Sequence, residues 1–145
     1  MKAYCDSSYL VSLYTLDANS RAAALLAGRS ESLVISPLCE IELLNAFYLR
    51  VFRKQMSEAQ AQSAQRAFES DLVDEVYATQ SLSPAVFALA KRLSKKYTAG
   101  LGTRSLDILH IAAASESGVD YLFSLDVKQR KLAGQVGLSS MPDIR

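Results

Sequence analysis

Acidic side chains are the residues whose type and spacing suggest chemistry in this 145-residue sequence. Four of them, from separate segments, are candidates for a single site: Asp6, Glu42, Asp107 and Asp126. Two carboxylates about 5 Å apart repel by roughly 3 kcal/mol at an effective dielectric constant of about 20, so a pocket of four must take up protons or bind a cation. Because these ligands are all oxygens, Mg²⁺ or Mn²⁺ is expected. Such an ion activates water, which predicts phosphodiester hydrolysis by metal-activated water.

Two short apolar strands are expected to position two of these acids. Lys2–Cys5 is predicted to be a buried strand that ends at Asp6, and Tyr121–Phe123 a second strand with Asp126 shortly after it. Ligands of an open parallel sheet bind beyond the carboxyl ends of its strands, so both acids are expected at that edge. Asp120 precedes its strand and is therefore expected at the opposite edge, which excludes it from the site.

The other two acids lie early in helices that begin at the same edge. Ser36-Pro37 combines a capping hydroxyl with proline at the first helical position, which predicts a helix carrying Glu42 in its second turn. Ser105 opens another predicted helix, with Asp107 in the first turn. Glu40 competes with Glu42, because their side chains point about 200° apart on the helix and the hydrophobic periodicity does not choose between them.

Strands and helices alternate along the whole chain. Strands are predicted at Lys2–Cys5, Leu33–Ile35, Glu75–Ala78 and Tyr121–Phe123, with a last one near Leu138. Gly28 and Gly118 are expected to end helices. The pattern predicts a three-layer α/β/α fold, with a mostly parallel central sheet of four to five short strands and helices on both faces. No linker or repeat divides the chain, so residues 1–145 are expected to form one domain.

Composition limits the classes of protein that this chain can represent. Half of the residues are hydrophobic and 21% are charged, which suffices for a packed core and argues against disorder. The net charge is only +1, so a nucleic-acid partner must be recognised by local arrangement. Charged residues interrupt every apolar run, which predicts neither an export signal nor a membrane span and favours the cytoplasm. Cys5 and Cys39 are expected to be free thiols.

Four motifs resemble, in order, those of PIN-domain nucleases. Tyr4 to Ser8 resembles the opening motif, an apolar strand followed by Asp-Ser/Thr-Ser. Ser36 to Phe47 resembles the second, Ser-x5-Glu-Leu-x-x-Ala, and this resemblance selects Glu42. Leu106 to Ala114 resembles the third, an Asp followed by Leu-His and small residues. Phe123 to Asp126, with Gln129 and Ala133, resembles the fourth, with Ser124 where Thr is common.

The resemblance covers nearly the whole chain and is greatest to the VapC toxins of toxin–antitoxin pairs. It implies that Asp6, Glu42, Asp107 and Asp126 surround the Mg²⁺ or Mn²⁺ of a ribonuclease. It also implies an RNA substrate, a homodimer and an antitoxin partner that inserts a segment into the acidic groove. The expected partner surface is the helix pair from Pro37 to about Asp71, with Tyr48, Phe52 and Met56 as contacts.

Several residues near the acids can be interpreted in two ways, as supporting the site or as stabilising the fold. Ser8 can hydrogen-bond to an acid or cap a helix, and Ser124 retains the hydroxyl of its motif. Arg104 and Lys128 are the cations best placed to bind RNA phosphates. His110 shares a helix face with Asp107, but a packed, hydrogen-bonded histidine is favoured over a metal ligand.

Two other functions compete with the nuclease. An aspartate-dependent phosphatase or phosphotransferase would use Asp6, but such enzymes carry a second Asp two positions later, where this chain has Ser8. A non-catalytic PIN-like module would bind RNA or protein without cleaving it. A dinucleotide-binding fold is disfavoured, because Gly100-Leu101-Gly102 follows a helix and lacks the third glycine of that motif.

Overall fold

The computed structural model describes residues 1–143, which form five strands and seven helices. The strands are Lys2–Cys5 (β1), Ser32–Ile35 (β2), Tyr77–Thr79 (β3), Tyr121–Phe123 (β4) and Ser139–Met141 (β5). The helices are Ser7–Tyr14 (α1), Ser20–Arg29 (α2), Pro37–Phe52 (α3), Glu58–Val73 (α4), Pro84–Leu101 (α5), Ser105–Ser117 (α6) and Val127–Gln135 (α7).

The five strands form a single sheet in the order β3-β2-β1-β4-β5, and every neighbouring pair is parallel. In the central strand, Tyr4 lies opposite Val34 on one side and Leu122 on the other. Because crossovers between parallel strands of one sheet are almost always right-handed, this strand order places α1 to α4 on one face and α5 to α7 on the other. The helix packing agrees, since α3 packs against α1 and α4, whereas α6 packs against α5 and α7. The predicted three-layer α/β fold is confirmed.

The direction in which the chain crosses the sheet changes between β1 and β4. From β1 the chain moves outward to β2 and β3, and then returns to β4 beside β1 before moving outward to β5. Connections that leave neighbouring strands for opposite faces open a crevice beyond their carboxyl ends. The backbone of Asp6 donates to the carbonyl of Phe123 over 3.0 Å, which ties the two strand ends together at this crevice.

The core lies on both faces of the central strands. Ala3, Tyr4 and Cys5 are all fully buried, as are Leu122 and Phe123 in β4. Such unbroken apolar runs are typical of parallel strands that are covered on both sides. Polar residues that are also buried, Asp6 and Ser124 among them, follow these strands at their carboxyl ends.

Two element boundaries differ from the sequence-based expectation. β3 begins at Tyr77 rather than Glu75, because Glu75 adopts a left-handed φ of 57° in the turn after α4 and cannot extend the strand. Gly28 does not end α2, which continues to Arg29 and stops at an extended Ser30. Gly118 ends α6 as predicted, with a left-handed φ of 72°.

None of the helices within residues 1–143 is both long and apolar enough to cross a membrane.

Candidate active site

Asp6 lies at the junction of β1 and α1 and is fully buried. Its Oδ1 atom accepts hydrogen bonds from the Tyr9 amide at 2.9 Å and the Ser8 hydroxyl at 2.7 Å. Its Oδ2 atom accepts from the Ser124 hydroxyl. The Tyr9 contact makes Asp6 the cap of α1, so the same carboxylate begins the helix and lies at the crevice.

Burial raises the pKa of Asp6. Hydrogen bonds from Ser124, Ser8 and Tyr9, together with the charge of His110, offset part of this rise. The net increase means that these donors do not fully replace the water that the ionised carboxylate loses. A cation nearby would favour the ionised form and lower this pKa.

Two serine hydroxyls connect the β1–α1 junction to the β4–α7 junction. The Ser8 hydroxyl donates to Asp6 and accepts from the Leu125 amide at 2.9 Å. The Ser124 hydroxyl likewise donates to Asp6 and accepts from the Asp126 amide at 3.0 Å. Each serine therefore fixes the Asp6 carboxylate relative to the backbone that carries Asp126.

Asp107 and Asp126 line one cavity of about 340 Å³, together with Arg104, Lys128 and Val127. Asp126 caps α7 by accepting from the Gln129 amide at 3.0 Å. Asp107, in the first turn of α6, accepts from the Arg104 amide at 3.2 Å. The cavity therefore has two partly exposed carboxylates, with two exposed cationic side chains beside them. Asp120 lies at the opposite edge of the sheet, where its amide donates to the Lys2 carbonyl.

Gln129 links these two carboxylates and was not singled out as a site residue from the sequence. Its side-chain nitrogen lies 3.4 Å from Asp107 Oδ1, and its backbone amide donates to Asp126. The residue is only 4% exposed, yet within residues 1–143 its Oε1 atom has no hydrogen-bond partner. A buried amide oxygen without a donor is costly, so this oxygen is suited to accept from water held beside the acids.

Glu42 is not among the residues that line this cavity, and its side chain contacts a different residue. Its carboxylate accepts from His110 Nε2, and its side chain is 25% exposed. His110 is fully buried, and its Nδ1 atom hydrogen-bonds with the Tyr4 hydroxyl at 2.8 Å. The histidine is thus packed and hydrogen-bonded, but its pairing with Glu42 was not foreseen. Of the rival acids Glu40 and Glu42, it is Glu42 that contacts this buried histidine.

The electrostatics of His110 depend on its partners. Burial alone would lower its pKa, but hydrogen bonds with Cys39 and Glu42 and the electrostatic interactions with these two groups outweigh burial and raise the pKa to about 10. The contact with Glu42 therefore favours the protonated imidazole of His110. The pair is partly buried, and removing either member leaves the other charge uncompensated.

The donor chemistry of these acids can be compared with the needs of a divalent cation. Among residues 1–143, no three acidic, histidine or cysteine side chains are grouped closely enough to hold one ion. The donor set nevertheless suits a hard cation, because the partly exposed carboxylates of Asp107 and Asp126 offer oxygen ligands. The raised pKa of Asp6 and the unpartnered oxygen of Gln129 are two further features that a hydrated cation would relieve.

The fold and the acids together define a class of protein. The fold is a five-stranded parallel sheet covered by helices. Two of the acids follow β1 and β4, and two others lie early in α3 and α6. A family model for the PIN domain matches residues 3–135, so this chain belongs to the PIN-domain family. The family resemblance found in the sequence motifs is confirmed.

Solved structures support the same fold at low sequence identity. VapC20 of Mycobacterium tuberculosis, described as a toxin that cleaves the sarcin–ricin loop, is 14% identical with a TM-score of 0.65, over 97% of this chain and 99% of that one. FitAcB of Neisseria gonorrhoeae is 14% identical with a TM-score of 0.72, and the match covers 97% of this chain and 96% of that one. VapBC2 of Rickettsia felis, solved with a promoter DNA fragment, is 17% identical with a TM-score of 0.67, and the match covers 97% of this chain and 98% of that one. No curated protein matches the chain.

Proposed function

We propose that this protein is a metal-dependent ribonuclease of the cytoplasm, acting as the toxin of a toxin–antitoxin pair. The observation that carries the proposal is the cavity at the β1–β4 crevice, where Asp107 and Asp126 face Arg104 and Lys128. Membership of the PIN-domain family supports a nuclease. The fold shared with VapC20 and VapBC2 supports a toxin that has an antitoxin.

Asp6, Glu42, Asp107 and Asp126 are the residues that would hold Mg²⁺ or Mn²⁺. The bound ion would activate water and neutralise charge on the phosphodiester. The chain's own contribution is orientation: Ser8 and Ser124 fix Asp6, and the Arg104 amide and Gln129 fix Asp107. No protein nucleophile is required by this scheme.

Arg104 and Lys128 are proposed to bind RNA phosphates beside the acids. Both are exposed, and both line the cavity that contains Asp107 and Asp126. Cationic side chains at this position would attract the negatively charged RNA backbone to a cleft whose carboxylates alone would repel it. The net charge of only +1 makes such local cations necessary for RNA affinity.

The antitoxin is proposed to dock on the outer surface of α3 and α4. Phe52 is 83% exposed and Tyr48 is 38% exposed, whereas Met56 packs partly against the core. Nearby Leu16 is 97% exposed and lines, with Met56, a cavity of about 350 Å³ between α1 and the α3–α4 pair.

A homodimer also remains a prediction, and light scattering of the purified protein tests it.

The decisive experiment is cleavage of a mixed pool of structured and single-stranded RNAs by the purified protein with Mg²⁺, Mn²⁺ or EDTA. Cleavage is expected only with metal, and it should disappear in an Asp6→Asn and Asp107→Asn double variant. Asp120→Asn, which alters an acid at the opposite edge of the sheet, is the matched control and should retain activity. Cleavage that continues in EDTA, or in the double variant, would contradict the proposal.

A non-catalytic binding module is the second candidate. It is favoured by the absence of any three-ligand group among residues 1–143. Calorimetry with Mn²⁺ distinguishes the two functions, because the module predicts no binding. The phosphatase alternative is less well supported, since the residue two positions after Asp6 is Ser8, whose hydroxyl donates to the Asp6 carboxylate instead of supplying a second acid.

A further inference from the structure

His110 is a buried residue that contacts one of the candidate ligands. It lies on α6, three residues after Asp107, and has no exposed surface. Its Nε2 atom faces the Glu42 carboxylate on α3. A carboxylate oxygen accepts hydrogen bonds, so the Nε2 atom is the donor in this contact.

The opposite side of the imidazole is anchored to the central strand. Its Nδ1 atom lies 2.8 Å from the Tyr4 hydroxyl, and the two rings pack edge to face with centroids 5.7 Å apart. The Tyr4 hydroxyl also hydrogen-bonds with the Ser36 hydroxyl at 2.8 Å. Since Ser36 begins α3, this network joins β1, α3 and α6.

Asp6 directly follows β1, while Glu42 lies on α3 and Asp107 on α6, so the network joins the elements that carry three of the candidate acids. Glutamate has a long side chain whose immobilisation costs conformational entropy, and Glu42 is still one-quarter exposed. The only side chain to which Glu42 is hydrogen-bonded within residues 1–143 is His110. A rigid, doubly anchored imidazole therefore determines where the Glu42 carboxylate lies.

We propose that His110 is a positioning residue, which holds the Glu42 carboxylate in the orientation needed to bind the divalent cation. The inference rests on the proposed metal-dependent function and assigns to this site a residue outside the four acids. Partners of ligating carboxylates commonly orient them, and their loss typically weakens metal affinity or activity about 10–100-fold.

Two matched substitutions separate the two nitrogen atoms of the imidazole. The amide nitrogen of His110→Gln reaches the position of Nε2 and can still donate to Glu42. The amide of His110→Asn reaches only the position of Nδ1, so it can meet Tyr4 but not Glu42. Mn²⁺ affinity is measured by calorimetry for these variants, for Glu42→Gln and for the His110→Asn/Glu42→Gln double variant, and thermal unfolding without metal is recorded for each.

We expect His110→Asn to bind Mn²⁺ about 10–100-fold more weakly and His110→Gln to recover most of that loss. In the Glu42→Gln background, His110→Asn should have little further effect, because the carboxylate that it positions is absent. Equal losses in the Asn and Gln variants, or an unchanged loss in the Glu42→Gln background, would overturn the inference.

Tyr4→Phe provides a second route if the His110 variants do not fold. It removes the hydroxyl that anchors Nδ1 and retains the histidine, so a weaker Mn²⁺ affinity is expected and an unchanged affinity would contradict the inference. The proposed function fails separately: a wild-type protein that binds no Mn²⁺ overturns both proposals. Normal Mn²⁺ binding by His110→Asn overturns only the role of His110.

Discussion

Asp6 combines a charge with complete burial, and this combination has a measurable cost. Its folded-state pKa is raised by burial, so its stabilising contribution is fully present below the ordinary Asp pKa and is lost as pH rises through the raised value. Above that raised pKa, the ionised carboxylate of Asp6 opposes folding. The proposed metal binding and the stability of the fold therefore make opposite demands on this residue, as is common where function requires a desolvated group.

Asp6→Asn is accordingly expected to maintain or raise the melting temperature at pH 7 by a few degrees. The asparagine oxygen can accept from Ser8 and Tyr9, and its nitrogen can donate to Ser124, so the hydrogen-bond network survives. Thermal unfolding between pH 4 and pH 8 checks this, and the difference in stability should shrink as the pH falls. Added Mn²⁺ should stabilise the wild type and not the variant. A large destabilisation of the variant at pH 7 would contradict this account.

Cys5 and Cys39 are predicted to be unreactive in the folded protein. Both side chains are fully buried, and burial raises the pKa of the Cys5 thiol well above its ordinary value. A thiol-specific chromogenic reagent should label neither residue under native conditions and both in guanidinium chloride. Rapid labelling of the native protein would show that this part of the core opens readily.

How well individual residues could be predicted depends on where their partners lie in the sequence. Asp6 and Asp126 could be assigned to the crevice because the apolar runs that precede them show where the strands end. The contact between Glu42 and His110 could not, because it joins helices whose relative packing no local pattern encodes. Gln129 was missed as a site residue for the same reason, since its burial results from the packing of α7 against its neighbours.

At the scale of single elements, two glycines provide a matched pair. Gly118 ends α6 with a φ of 72°, whereas Gly28 lies within α2, and a Cβ atom added at either position meets no atom within 4 Å. Gly118→Ala should lower the free energy of unfolding by about 1–2 kcal/mol, because an L-residue is strained in that conformation. Gly28→Ala should raise it by up to about 1 kcal/mol. Urea denaturation measures both, and similar effects of the two substitutions would refute the distinction.

The same two glycines show why element positions were largely, but not fully, predictable. Apolar runs and Ser-Pro starts locate β1, β2, α3 and α5 because they act through local sterics and capping. Glycine only permits a left-handed turn and does not require one, so Gly28 could remain helical. The start of β3 depended on the left-handed conformation of Glu75, which a non-glycine residue rarely adopts.

At the scale of the whole molecule, RNA affinity should depend on a few cations rather than on net charge. Binding of a single-stranded oligoribonucleotide is measured in EDTA over a range of salt concentrations. Arg104→Ala and Lys128→Ala should each weaken binding and reduce the slope of log affinity against log salt by about 0.7 for each phosphate that the protein no longer neutralises.

Arg29→Ala serves as the control for this salt dependence. Arg29 ends α2 just before Glu31, whose amide donates to the Met1 carbonyl at the edge of the sheet opposite the acids. The substitution removes the same charge from a distant surface, and its slope should equal that of the wild type. Equal slopes for Arg29→Ala and Arg104→Ala would mean that RNA binds without using the acidic crevice.

The central position of β1 also affects biosynthesis. β1 precedes β2 in the chain and can pair with it as soon as residues 32–35 have been made, but the edge that pairs with β4 stays unpaired until Tyr121–Phe123 has been made. Asp6 gains the Ser124 hydroxyl, and the cavity gains Asp126, only at that stage. A chain that ends before Tyr121 therefore carries three of the candidate acids without the strand and the hydroxyl that complete their surroundings.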